Sequence, residues 1–348
     1  MMGLDDYNRP FAVATTGLVR QAHRSEESFR RHFRSFMHTT PRITTGDPDK
    51  ITFSFSSSQS KDNLMGMGVL DVSYRLSTRA QMQFSYRADT RDEERSFDRA
   101  LINPFWDMRD SYALSQQFDY SPRVSLRFGA ATGRNGFYEG DEDLDEKFNR
   151  SVQAFTGEMD YRLRPNLTLR AMGGLTGEQG AVLGLNGTGA MAVGNGKTYY
   201  TGAMLLYQPA ADWTMSAAYY YGRSLVPRTQ SAVRLTDIQS DSFALDARWH
   251  RTPQEIIGVQ FSSPLRIRRG SAVFNLPVAR DLTDDVVYFD QIRVSLKPTA
   301  REYDLGLYYA KESENYNWQA EMTARIHPDH MAGIRPDYRA LIGWSFKY

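Results

Sequence analysis

The last eleven residues, Tyr338 to Tyr348, restrict what this chain can fold into more than any other stretch. Tyr338, Ala340, Ile342, Trp344, Phe346 and Tyr348 are apolar or aromatic, and between them stand Arg339, Gly343, Ser345 and Lys347. Successive side chains of a strand point to opposite faces, so this period of two makes one face an aromatic ladder and leaves the other mostly polar or small. A soluble protein ending on such a ladder would expose a sticky sheet edge. The pattern is at ease where the ladder faces lipid and the strand closes a barrel.

The same period recurs upstream in segments near ten residues long, the length a tilted strand needs to cross a bilayer. Val124, Leu126, Phe128 and Ala130 alternate with Arg123, Ser125, Arg127 and Gly129. Tyr199, Ala203, Leu205 and Tyr207 turn into Trp213, Met215, Ala217, Tyr219 and Tyr221. Tyr316, Trp318, Ala320, Met322, Ala324 and Ile326 interleave with Asn317, Gln319, Glu321, Thr323 and Arg325. Counted from Ile51, the reading is an all-β, transmembrane antiparallel β-barrel of about sixteen strands. Twelve or fourteen remain open, because the Ile51 and Val273 pieces are weakly patterned.

Connections alternate as well. Short ones fall near Ser77, Ser121, Pro165, Ala210, Pro253 and Ser313, and long ones at 90–110, 132–150, 175–197, 222–240 and 327–337. That parity matches periplasmic turns and extracellular loops, and places the start of the first strand and the end of the last on the short-turn side. The polar face carries charges of both signs in mid-strand. Arg127, Arg170, Arg248, Arg293, Asp304 and Glu321 are the expected lumen-facing residues.

Composition agrees where it bears on the choice. The 348 residues include 20 Tyr and 19 Phe, yet 24% are charged, as expected when only alternate residues meet lipid. No run of eighteen apolar residues occurs, which excludes a helical span. The 42 basic and 41 acidic residues are interspersed, so no nucleic-acid partner is expected. Cysteine is absent, which removes disulfides, thiol nucleophiles and thiolate metal sites.

Residues 1–50 read as a separate linker region. Gly17 to Met37 has Leu18, Phe29, Phe33 and Phe36 at loosely helical spacing among several arginines, an amphipathic basic helix. It could lie on the surface of the protein, in the barrel lumen or on a membrane. Pro41 and the polar run 44–50 then break the pattern, and residues 51–348 form the barrel. Met1 to Pro10 lacks the cationic and apolar parts of a signal peptide, so with a barrel the expectation is an excised domain, a processed product or an incomplete gene model.

The chain holds no nucleophile elbow, phosphate loop, dinucleotide fingerprint or zinc-protease motif, so no enzyme activity, cofactor or metal is expected. His327, Asp329 and His330 form a compact cluster, read chiefly as loop chemistry. The acidic run from Glu139 to Glu146 lacks the spacing of a calcium loop.

Two resemblances add to this reading. Gly343, Trp344, Phe346 and Tyr348 resemble the C-terminal segment by which the barrel-assembly machinery reads bacterial outer-membrane clients. The runs Gly258, Val259, Phe261, Ser262, Pro264, Leu265, Arg266 and Val294, Ser295, Leu296, Pro298, Arg301, Glu302, followed by Arg325, His327, Pro328 and His330, resemble the C-terminal barrel of alphaproteobacterial subtilisin-like serine peptidases of autotransporter type. The second implies a translocator barrel in the outer membrane of a Gram-negative bacterium. It would export or display an N-terminal passenger, with the peptidase domain absent from this chain. Lipid, lipopolysaccharide, the assembly machinery and the passenger are the implied partners. A free-standing porin-like channel is the alternative.

Overall fold

The computed structural model describes residues 2–4, 10–12, 43–47, 49–57, 67–89, 103–106, 108–135, 151–186, 192–227, 231–281, 283–313 and 315–346. The expected helix at 17–37 lies outside the described residues. In chain order the strands are β1 (Met2–Leu4), β2 (Pro10–Ala12), β3 (Ile43–Asp47), β4 (Ile51–Ser57), β5 (Met67–Ser77), β6 (Ala80–Asp89), β7 (Met108–Ser121), β8 (Val124–Asn135), β9 (Ser151–Arg164) and β10 (Leu167–Glu178). They continue with β11 (Ala181–Val182), β12 (Leu185–Asn186), β13 (Gly196–Tyr207), β14 (Trp213–Leu225), β15 (Val233–Thr252), β16 (Glu255–Asp281), β17 (Val286–Ser295), β18 (Tyr303–Glu312), β19 (Tyr316–Ile326) and β20 (Asp337–Phe346). Two small hairpins, β1–β2 and β11–β12, stand apart from one antiparallel sheet of 16 strands.

Within that sheet each strand pairs with the next, from β3 to β10 and then from β13 to β16. The path passes from β16 directly to β18 and ends at β20, while β17 pairs with β16 alone. The total of sixteen matches the expectation, but its membership does not. Segments 257–261 and 273–278, expected as two strands, belong to the single 27-residue β16. Its prolines explain the misreading. Pro264 falls where the pairing with β15 shifts register, and Pro277 where the pairing with β17 does, so each missing N–H is absorbed by a bulge. Conversely, Ile43–Asp47, expected as part of a polar break, is strand β3.

The β3–β4 turn lies beside the β5–β6 turn, since the Arg75 amide donates to the Lys50 carbonyl at 2.8 Å. Strand β4, expected as the first strand, therefore starts at the short-turn end, but it is the second strand of the sheet, which corrects the expectation for where the sheet begins. Strand β3 precedes it and enters the sheet from the long-connection end.

A contact across the concave face shows that the sheet is rolled. Phe105, three residues before β7, packs on Tyr200 of β13 and over Gly222 of β14. Three residues span at most about 11 Å. Strands β7 and β14 are five pairings apart, roughly 24 Å on a flat sheet. Only a rolled sheet brings them within reach of one ring.

The two faces invert the soluble pattern. Burial alternates along β13, with Thr198, Tyr200 and Met204 buried and Tyr199, Leu205 and Tyr207 exposed. Leu305 and Leu307 are exposed, whereas Asp71, Asp246, Glu302 and Arg325 are buried. Aromatic and aliphatic side chains outside with charges inside is the arrangement of a transmembrane β-barrel. Trp213 and Trp249 stack outside the short-turn end at 6.4 Å, and Trp249 donates its indole N–H to Asp212 at 3.0 Å, as interfacial anchors do.

Candidate functional site: the lumen

Because inward positions alternate along every strand, charges on neighbouring strands meet directly across the ladder. Arg170 of β10 grips Asp160 of β9 through Nε at 2.6 Å and Nη2 at 2.9 Å. Arg127 of β8 donates to Glu158 at 3.2 Å and to Gln117 at 2.9 Å. Arg248 donates to Asp246 at 2.5 Å, and the Tyr308 hydroxyl donates to the same carboxylate at 3.1 Å. Glu321 accepts from Thr323 at 3.0 Å. Arg293 stands apart from these, exposed on β17 with its Nε donating to Ser271 at 3.1 Å.

A second network forms at the long-connection end, where the edge of β16 away from β15 has no strand partner between its contacts with β18 and β17. Segment 296–302 and the turn Pro328–His330 fill that gap. The Leu296 amide donates to Gly270, Arg301 Nε donates to Ser263 at 2.9 Å, and the Ala300 amide donates to the His330 carbonyl. His330 accepts the Glu302 amide N–H on Nδ1 at 2.9 Å and lies 3.1 Å from the Leu265 carbonyl through Nε2. These partners require the proton on Nε2. Both ring nitrogens are thereby committed, leaving neither for a metal. Burial holds the imidazole below the ordinary histidine value, and Arg266 and Arg301 act in the same direction.

Beneath His330, Arg325 reaches Glu302 at 2.6 Å, Asp329 at 3.3 Å, Asp337 at 3.4 Å and Asp304 at 3.7 Å. Asp241 of β15 faces Arg301 at 3.3 Å and Arg266 at 3.8 Å. The fold thus gathers into one cluster the three separated stretches that carry the autotransporter resemblance. Asp241 is the member that motif reading missed.

The third feature is apolar. Phe105 is 3% exposed and stacks on Tyr200 with ring centroids 5.2 Å apart and planes 12° from parallel. Met172, Met204, Ala218 and Tyr220 complete its surroundings. Thr176 donates its hydroxyl to the Phe105 carbonyl at 3.1 Å. A Cβ on Gly222 would stand 2.5 Å from the Phe105 ring, so only glycine admits it. Tyr220 likewise lies over Gly202, directly opposite it on β13. The β10–β13 connection folds inward too: Val182 packs with Leu235, Ile238 and Ala272, while the Leu183 and Gly184 amides donate to the Glu178 carboxylate at 2.7 and 3.1 Å. The described parts of two connections, around Phe105 and Val182, therefore pack against the inner face. Neither carries a sequence motif. Only spatial proximity identifies them.

Of the four residues expected as an assembly signal, Gly343 and Trp344 lie on β20, where Trp344 pairs with Trp318 and is 59% exposed on the outer face. Phe346 pairs with Tyr316 at the end of β20, and Tyr348 lies outside the described residues.

No family model and no curated protein matches the sequence. Among solved structures the chain is similar to OmpT, an outer membrane protein of Vibrio cholerae, with a TM-score of 0.45 and 11% identity over 87% of each chain. It is similar also to the toluene transporter TodX of Pseudomonas putida, with a TM-score of 0.41 and 11% identity over 91% of this chain and 88% of that one. The FrpB iron transporter of Neisseria meningitidis gives a TM-score of 0.38 and 10% identity over 88% of this chain and 58% of that one. At TM-scores this low, the barrel assignment rests on the strand order, the rolled sheet and the inverted faces described above.

Proposed function

We propose that this chain is an outer-membrane barrel that anchors and displays polypeptide joined to its N-terminal side, as an autotransporter translocator does. The observation that carries this reading is the direction of β3. Ile43 enters the sheet from the long-connection end, which is the outer surface when the short turns face the periplasm. A segment joined to Ile43 at that end is displayed without any need to thread back through the lumen, where the Phe105 turn packs on the inner face. In this reading the chain hydrolyses nothing itself. Its partners are lipid, lipopolysaccharide, the assembly machinery that reads the Trp344 strand, and the displayed segment.

The test is an epitope tag placed before Met2 in intact Gram-negative cells. Labelling of the tag by antibody without permeabilisation, and its removal by external protease, is the expected outcome. A tag that reacts only after the outer membrane is broken overturns the proposal. The porin-like alternative is favoured by the continuous polar ladder from Arg127 to Arg170. It requires large conductance of the intact chain in planar bilayers, unchanged by deleting residues 1–40.

A further inference from the structure

We infer that the short-turn mouth of the lumen is a binding site for a multivalent phosphate-type oxyanion, held by Arg79, Arg123 and Arg162. A cavity of about 630 Å³ opens there, bounded by the β5–β6 and β7–β8 turns and by β9 and β10. Elsewhere in this lumen guanidinium groups are matched by carboxylates: Arg87 with Asp71, Arg127 with Glu158, Arg170 with Asp160, Arg248 with Asp246 and Arg325 with Glu302. Arg79, Arg123 and Arg162 depart from that rule. They line one cavity, and among the described residues none of them makes an ion pair.

Of the two carboxylates in the same wall, Asp160 is neutralised by Arg170, which takes both its oxygens at 2.6 and 2.9 Å. Asp119 accepts the neutral Gln117 amide at 3.3 Å and keeps its charge, so the three arginines outnumber it. The rim itself is built. The Asp119 amide donates to the Arg79 carbonyl and the Arg162 amide to the Arg123 carbonyl, each at 2.8 Å, which ties the three arginine backbones to neighbouring hairpins. A net excess of positive charge in a concave wall concentrates the field and draws a counter-ion, even with the three arginines exposed to water. Guanidinium forks match phosphate oxygens in pairs, and three forks call for an anion with at least two charges and several oxygens. Leu206 lines the cavity and packs on the Phe105 cluster, which gives the site an apolar contact on that side.

The shared chemistry fits a free oxyanion or a lipid phosphate, and the experiment separates them. Calorimetric titration of the full chain in neutral detergent with inorganic pyrophosphate at low salt is expected to give saturable one-to-one binding. Acetate is expected to give none. The R79Q/R123Q/R162Q variant is expected to bind about tenfold more weakly or worse, while R293Q on β17 binds as the parent does. Retained heat-modifiable gel migration verifies that each variant is folded; should the triple variant fail it, R123Q alone is read for about a threefold loss. In nanodiscs, competition from added cardiolipin, whose headgroup carries two phosphates, that disappears in the arginine variant assigns a headgroup, and absence of competition assigns the free anion. No saturable pyrophosphate binding by the parent, or undiminished binding by the folded variant, overturns the inference.

Discussion

Three residues concentrate the energetics at the residue scale. Arg325 is 4% exposed and is the shared partner of Glu302, itself 3% exposed, so removing the cation strands a buried carboxylate. Arg325→Met is expected to cost about 3–5 kcal/mol, read as a lower urea midpoint in lipid vesicles. His330 has the opposite dependence on protons. Its folded value lies below its unfolded value of about 6.5, so the unfolded chain binds the extra proton first. The stability it contributes is complete above that unfolded value and falls as pH drops through the window beneath it. Unfolding midpoints should decline below about pH 6.5, and His330→Gln should flatten that decline. Gly222 is the third. Gly222→Ala is expected to cost about 1–3 kcal/mol by pressing on the Phe105 ring, and to be nearly neutral in a Phe105→Ala background. An additive double-mutant cycle would refute that contact.

At the scale of elements, β20 and β16 behave differently. Strand β20 is short, regular and fully legible, because its alternation needs no information from elsewhere in the chain. It covers β19 along ten register pairs from Tyr316 to Arg325. Deleting residues 342–348 uncovers that edge from Tyr316 to Ala320 and removes Trp344, and the truncated chain is expected to be lost from the outer-membrane fraction while still reaching the periplasm. Strand β16 could not be read as one element. Pro264, Gly270 and Pro277 punctuate it locally, and only its partners show that the punctuation marks bulges rather than ends. The reverse error occurred at Ile43–Asp47, where a polar run of five residues is held as a strand by pairing with β4.

At the scale of the whole molecule, lipid acts as the solvent of the outer face and water as that of the inner one. A charge placed on the outer face should therefore cost far more than one placed inside. Leu305→Arg and Leu205→Arg, both on the outer face, are each expected to destabilise by about 2–4 kcal/mol in vesicle unfolding assays. Equal cost for Thr168→Arg at the lumen mouth would contradict the sidedness.

What the amino-acid order determined by itself is which side chains face out. That information is local, because a period of two sorts neighbours onto opposite faces whatever the strand pairs with. It made Tyr199, Leu205, Leu305 and Trp344 legible as a lipid-facing surface, and Arg127, Arg170 and Arg248 legible as its polar counterpart. What only the tertiary structure decided is what meets across the lumen: Phe105 on Gly222, Asp241 between Arg266 and Arg301, His330 against Leu265, and three arginines around one mouth. Those pairs are separated by tens of residues, and no local periodicity encodes them. They exist because the rolled sheet brings distant strands and connections to the same interior.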